Sequence, residues 1–244
     1  MKFENTEVWG FEHALRGMRN PKNSWSKSDS YYEYDNQKDC VTKDANFVIG
    51  ENDMKLVQTL IKAGSEHRKF MRQIFVSVDI TAPLYWWKEF DTYKVGTVAN
   101  STSTMHKLAT TSITLDCFET DDYDRNLSLA DNQKYDDGFD NISTFEEDII
   151  YVLENIRQKY LETKDKRYWK ELIRWLPESW LQKRTVTMTY ENLLAMCSKG
   201  QRRFHKLNEW SGQDNLNVPN FISWARTLPY AQELIFIDET LDNN

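Results

Sequence analysis

Between residues 74 and 80 every second position is aliphatic: Ile74, Val76, Val78 and Ile80 alternate with Phe75, Ser77 and Asp79. A period of two marks a strand that buries one face and leaves mixed chemistry on the other. The chain must therefore build a sheet with its core against one side. Pro83 ends the strand and suits the first turn of a helix, and Leu84 to Phe90 continues as a bulky aromatic helix. Around this unit the pattern predicts an early strand at 8–11 and a helix over 53–63, with Met54, Val57, Leu60 and Ile61 on one face and Gly64 as its stop. Phe145, Ile149, Val152, Leu153, Ile156 and Tyr160 mark an amphipathic helix. A further helix covers 167–175 and is stopped by Pro177. Residues 184–189 alternate basic and β-branched side chains, while 190–196 and 204–210 read as helical. Residues 220–236 read as a helical pair broken at Pro229, and 16–35 as irregular.

At 244 residues and 40% hydrophobic content the chain can bury a real core, and a single domain over 1–244 is expected. Rings are abundant, with nine tryptophans, whereas glycine and proline number eight and five, which favours a rigid, helix-rich body. The stretch from 116 to 143 is loaded with Asp, Asn and Tyr and reads as an acidic loop or lid. A net charge of −7 excludes a partner such as long DNA or RNA, whose binding draws on counterion release. A single nucleotide needs only a few local arginines, so small-molecule partners rank above nucleic-acid polymers. Cys40, Cys117 and Cys197 are odd in number and far apart, which fits free thiols and a cytoplasmic location. No signal peptide, membrane span or metal site is expected, because no long apolar run occurs and His13, His67, His106 and His205 never fall at metal-binding spacing. There is no GxGxxG, P-loop or GxSxG element.

One stretch carries more information. Glu66-His67, Phe70, the strand to Ile80, Ala82-Pro83 and then Glu89 through His106 resemble the core of the flavin-dependent thymidylate synthases. In that family a Glu-His-x-x-Phe element precedes a strand and an aromatic helix. Then comes Gln-x-x-Arg-His-Arg-x-x-Ser-x-Asn-x-x-Ser-x-Arg-Tyr, which binds flavin and deoxyuridine monophosphate. Here the glutamine falls on Glu89, the Arg-His-Arg triplet on Thr92, Tyr93 and Lys94, and the first serine on Thr97. With one inserted residue, Asn100 and Ser103 take the asparagine and second serine, and Met105-His106 the closing Arg-Tyr. The spacing survives while the charges are replaced, and lysine does not reproduce a guanidinium fork. Downstream, Arg174-Trp175-Leu176-Pro177 resembles the family's Arg-x-x-Leu-Pro with one residue fewer. Arg226 stands at the family's distance from Ala231-Gln232. The family's Asn-x-Arg flavin contact falls on Thr189 and Glu191 or on Asn215 and Asn217, and neither keeps the arginine.

The resemblance implies an α+β fold, mainly an antiparallel sheet flanked by helices, working as a homotetramer with shared sites. It implies a pyrimidine nucleotide held by Glu89, Ser103, Arg174 and Arg226. FAD would meet Glu66, His67, Thr92, Tyr93, Lys94, Thr97 and Asn100, weakly because the triplet is replaced. Methylenetetrahydrofolate would donate the one-carbon unit, with no protein nucleophile required. A carboxylate at position 89 accepts only, whereas an amide both donates and accepts, which favours a base presenting N–H donors. Trp86 and Trp87 fit either a flavin wall or core packing, and core packing is the plainer reading. The rival from another class is a nucleotide-binding or structural oligomeric protein that kept the fold and lost catalysis.

Overall fold

The computed structural model describes residues 1–33, 46–124, 126–127, 142–198, 200, 203–214 and 217–240. Cys40, Asn215 and residues 125 and 128–141 of the acidic stretch lie outside the described residues. The chain opens with β1 (Lys2–Trp9) and α1 (Phe11–Arg19), followed by the short strands β2 (Tyr31–Glu33) and β3 (Asn46–Val48) and by α2 (Glu51–Lys62). Then come β4 (Phe75–Pro83), α3 (Leu84–Phe90), β5 (Val98–Ser101), α4 (Thr104–Lys107), α5 (Ile142–Thr163) and α6 (Lys166–Arg174). The last part contains β6 (Leu181–Thr189), α7 (Tyr190–Met196), α8 (Asn208–Ser211), α9 (Phe221–Ala225) and α10 (Ala231–Leu234).

The main sheet has four strands in the order β1-β4-β6-β5, all antiparallel. Its two long inner strands place Val76 opposite Met188 and Val78 opposite Val186. All four are fully buried, as are Ile80 and Ala82, so the alternation in β4 sets which face meets the core. Helices cover that face through Phe11, Leu15, Trp86, Trp87, Leu193, Trp210, Phe221 and Leu234. The other face carries Ser77, Asp79, Thr185 and Thr187. There Asp79 accepts hydrogen bonds from Thr185 at 2.6 Å and Asn5 at 3.0 Å and pairs with Lys183 at 3.1 Å. Those bonds hold its carboxyl down at about 2. The expected α+β architecture is what the chain adopts.

Three local expectations need correction, the first being the helix over 204–210, which starts only at Asn208 in α8. The early strand runs over Lys2–Trp9, and Phe11 opens a helix instead of closing a strand. Gly10, at φ 103, makes the break, since a Cβ there would sit 2.2 Å from the Gln73 carbonyl oxygen. The helix then buries Phe11, Ala14, Leu15 and Met18 at helical spacing, so 16–19 is helical rather than irregular. β5 carried no strand signal, because all four of its residues are exposed on an edge.

A second, smaller apolar cluster forms around Leu108, Ala109, Ile113, Phe118, Leu153 and Leu172, between α5, α6 and the segment before them. The near end of the acidic stretch is tied to it. Phe118 bridges to Trp180, and the Glu119 amide donates to the Ser179 carbonyl at 2.8 Å.

Candidate functional site

The residues singled out by resemblance fall into four places. Glu66 and His67 lie together on the turn between α2 and β4. With α1, α2 and Phe70 they line a cleft of about 920 Å³. A buried polar network braces one wall. The Arg19 Nε donates to Asp53 at 2.6 Å, and Ser28 and Ser30 hydroxyls each donate to the other Asp53 oxygen at 2.6 Å. Burial alone would raise the Asp53 carboxyl, but the bonds from Ser28, Ser30 and Arg19 outweigh it and hold it below the usual range.

Glu89, Thr92, Tyr93, Lys94, Thr97 and Asn100 follow one another from the end of α3 onto β5. Pro83 delivers the chain into α3, whose Trp86, Trp87 and Phe90 are buried in the core. Both tryptophans therefore pack the interior, with the Trp87 indole donating to the Gln182 carbonyl at 2.9 Å. Glu89 faces the His205 Nε2 at 3.5 Å, while the His205 Nδ1 accepts the Leu207 amide at 3.0 Å. That second bond leaves Nε2 as the protonated nitrogen of the neutral ring, directed at Glu89. His205 and Tyr93 both lean on the Trp210 ring, at centroid distances of 5.5 and 6.0 Å. The Thr92 hydroxyl donates to the Glu89 carbonyl at 2.8 Å and the Thr97 hydroxyl to the Tyr93 carbonyl at 2.9 Å. Both hydroxyls thus shape the turn. Lys94 is exposed and makes no ion pair among the described residues. Asn100 is exposed opposite Thr185. Ser103 is half-buried before α4, its carbonyl accepting the Lys107 amide at 3.0 Å. The His106 side chain lies outside the described set.

The two arginines stand in separate surroundings. Arg174 ends α6 and pairs with Glu171 one turn earlier. Arg226 follows α9, holds Glu239 through two nitrogens at 2.9 and 2.5 Å, and lies 4.1 Å over the Phe236 ring. Among the described residues the two guanidinium groups have no partner in common. Sequence reading missed several neighbours. Arg203 is buried against Asp238 at 2.5 Å and Glu239 at 3.1 Å, so two guanidiniums converge on one carboxylate near the C-terminus. Arg184 spans from Asp91 at 2.9 Å to the Trp87 ring at 4.2 Å, beside β5. Glu191, one of the positions aligned with the family's Asn-x-Arg element, accepts both bonds of the Arg68 Nε at 3.0 and 3.1 Å. Only the run of two arginines at 202–203 offered a sequence signal for the first of these.

No protein-family model and no curated protein sequence matches the chain. Solved structures do. A flavin-dependent thymidylate synthase ThyX from Helicobacter pylori, complexed with FAD and dUMP, matches over 98% of this chain and 99% of its own, with a TM-score of 0.57 and 14% identity. A UMP/dUMP methylase PolB from Streptomyces cacaoi, bound with 5-Br dUMP, matches over 97% and 93%, with a TM-score of 0.58 and 10% identity. The same methylase bound with 5-Br UMP matches over 97% and 94%, with a TM-score of 0.56 and 12% identity. A likeness that runs nearly end to end in both chains is one of topology, since so few residues coincide. The chain has the fold of the flavin-dependent thymidylate synthases.

Proposed function

We propose that this chain is a divergent thymidylate synthase-like enzyme that binds a pyrimidine nucleotide and adds a one-carbon unit to its base. The end-to-end likeness to a chain complexed with FAD and dUMP, and to one bound with 5-Br dUMP, carries the reading. Arg174 and Arg226 would supply the phosphate forks, Ser103 a hydroxyl, and Glu89 an acceptor at the base edge. Each arginine now holds a carboxylate, so a phosphate takes the place of Glu171 or Glu239 on binding. Reduced FAD supplies hydride when bound, and methylenetetrahydrofolate the carbon. The residues at hand fit FAD loosely. His67 and Glu66 line an open cleft, Lys94 is a cation with no ion pair among the described residues, and the Thr92 and Thr97 hydroxyls are already engaged. A homotetramer with shared sites fits a sheet whose outer face is solvent-exposed, with Trp9 and Val98 standing out from it.

The replaced triplet favours one rival, a nucleotide-binding protein without catalysis. Calorimetric titration with dUMP and UMP, followed by assay with reduced FAD and methylenetetrahydrofolate, separates the two. Binding with methylation of the base supports the enzyme. Binding without turnover supports the rival, and no binding of either nucleotide overturns both.

A further inference from the structure

A second cleft, of about 490 Å³, lies at the N-terminal end of α1 and shares no lining residue with those given above to nucleotide or flavin. Five rings line it: Trp9, Phe11, Tyr32, Phe47 and Tyr230. No lysine or arginine is among its described lining residues, and the carboxylate there is Glu12. Glu12 accepts the Tyr32 hydroxyl at 2.9 Å, a neutral partner that leaves its charge unbalanced. Arg16, one turn further along α1, makes no ion pair with it. An aromatic ring is negative on its face, so rings and a carboxylate gathered without a base make a place for a cation. Trp9 and Tyr32 are 43% and 40% exposed, which keeps the cleft reachable from water.

Each ring is held in place. Trp9 stacks on Phe75, its neighbour across β1 and β4, at 5.7 Å. Tyr32 stands edge-on to Phe47, opposite it on the β2–β3 ladder, at 5.1 Å. Phe11 stands edge-on to both Tyr190 and Tyr230 at 5.5 Å. The Tyr230 hydroxyl accepts the Ile49 amide and donates to the Phe47 carbonyl, both at 3.0 Å. Its backbone is left-handed, at φ 55, a conformation costly for so bulky a residue. Glycine or asparagine would make that turn with less strain. Tyrosine there delivers a ring to the cleft wall and a hydroxyl to β3, while the Tyr190 hydroxyl holds the preceding Pro229 carbonyl at 2.6 Å. Walls set in advance lose little freedom when a ligand arrives.

We infer that this cleft binds a small organic cation, a quaternary or alkylated ammonium compound, with its charge among the rings and toward Glu12. An alkylated ammonium suits it better than a bare one, because a compact ammonium is strongly hydrated whereas alkyl groups match apolar walls. The inference stands whether or not the one-carbon reading does, since no residue of the proposed nucleotide site lines the cleft.

Ligand-observed NMR on the full chain tests it, with choline as the probe and 3,3-dimethyl-1-butanol, its uncharged carbon isostere, for comparison. Choline is expected to bind at least about ten times more tightly than the isostere, the margin a cation gains among rings and beside a carboxylate. Trp9→Leu keeps an apolar side chain and removes the ring, and is expected to weaken choline about tenfold. Glu12→Gln is expected to weaken it several-fold, as loss of one exposed charge does, and folding is not at issue for so small a change on the surface. Trp25→Leu, at another exposed tryptophan outside the cleft, is expected to leave choline binding unchanged. Nor is dUMP expected to displace choline, which keeps this test separate from that of the nucleotide site. The inference is overturned if choline does not bind, if the isostere binds as tightly, or if Trp9→Leu and Glu12→Gln both keep the wild-type affinity. It is equally overturned if Trp25→Leu weakens choline as much as Trp9→Leu does, or if dUMP displaces it.

Discussion

Arg226 is held by Glu239 and shielded by Phe236, and this sets what a nucleotide phosphate must overcome. The hydrogen bonds from Arg226 keep the Glu239 carboxyl below the usual range, so it stays charged and competes at neutral pH. Glu239→Gln is expected to tighten dUMP binding several-fold, and Arg226→Ala to weaken it by about 2 kcal/mol, the size of a charge-assisted hydrogen bond. Calorimetric dissociation constants that fail to move in opposite directions would count against Arg226 as a phosphate ligand. A second residue-scale prediction concerns acid. The Arg157 guanidinium grips Glu154 at 2.6 and 2.7 Å and holds its carboxyl at about 2, against an ordinary 4.5. A depressed carboxyl stabilises the fold fully above its unfolded value and progressively less as pH falls toward its folded one. Glu154→Gln should therefore lower the melting temperature at about pH 6, with the gap to wild type closing between about pH 4.5 and 2. Thermal scans across that range check it. Arg174 and Arg226, on which the proposed phosphate site draws, were singled out by the family resemblance, through Leu176-Pro177 and Ala231-Gln232. The partner of Glu89 was not. His205 lies far along the chain from it, and only the packing of Trp210 between His205 and Tyr93 brings them near.

At the scale of elements, the motif-bearing segment is pinned by a helix cap. Thr189 and Asn192 form a reciprocal capping box at the start of α7. The Asn192 amide also donates to the Val95 carbonyl at 2.7 Å, and a Cβ on Gly96, at φ 81, would lie 3.2 Å from its oxygen. One side chain thus fixes both α7 and the turn that leads Lys94 to Asn100. Asn192→Ala should cost about 1–2 kcal/mol, as removal of a cap does, measurable by urea unfolding. Amide exchange at 94–100 should rise in the variant; protection equal to wild type would show that β5 pairing alone holds the turn. The same scale shows where sequence patterns speak. β4 declared itself because burial alternates along it, and α2, α5 and α7 because each presents an apolar stripe. Only the end of β1, Val8 and Trp9, fell within the early strand expected from the pattern, because the positions before it are polar apart from Phe3. β5, exposed along its whole length, offers no alternation to read.

For the molecule as a whole, the replaced triplet leads to the FAD prediction. With Lys94 as its single cation and Tyr93 packed on Trp210, the triplet should hold FAD weakly, about two to four powers of ten below a site with all its charge-assisted hydrogen bonds, about 1.5–3 kcal/mol each. Titrating FAD into the purified protein while following absorbance checks this, and a tight stoichiometric yellow complex would refute it. Light scattering on the same sample is expected to give a mass above the 29.0 kDa of one chain. The division of the interior has a different consequence. The cluster around Leu153 and Leu172 is separate from the main core; among the ties between them, the Leu84 and Tyr85 amides meet the Trp180 and Glu178 carbonyls and the Tyr85 hydroxyl meets Glu119. A small core costs less to expose than the sheet does. The α5–α6 pair should therefore open as a unit of its own, its amides exchanging with deuterium together and well before those of β4 and β6. In kinetic terms the protein would breathe at one end while the sheet stays closed.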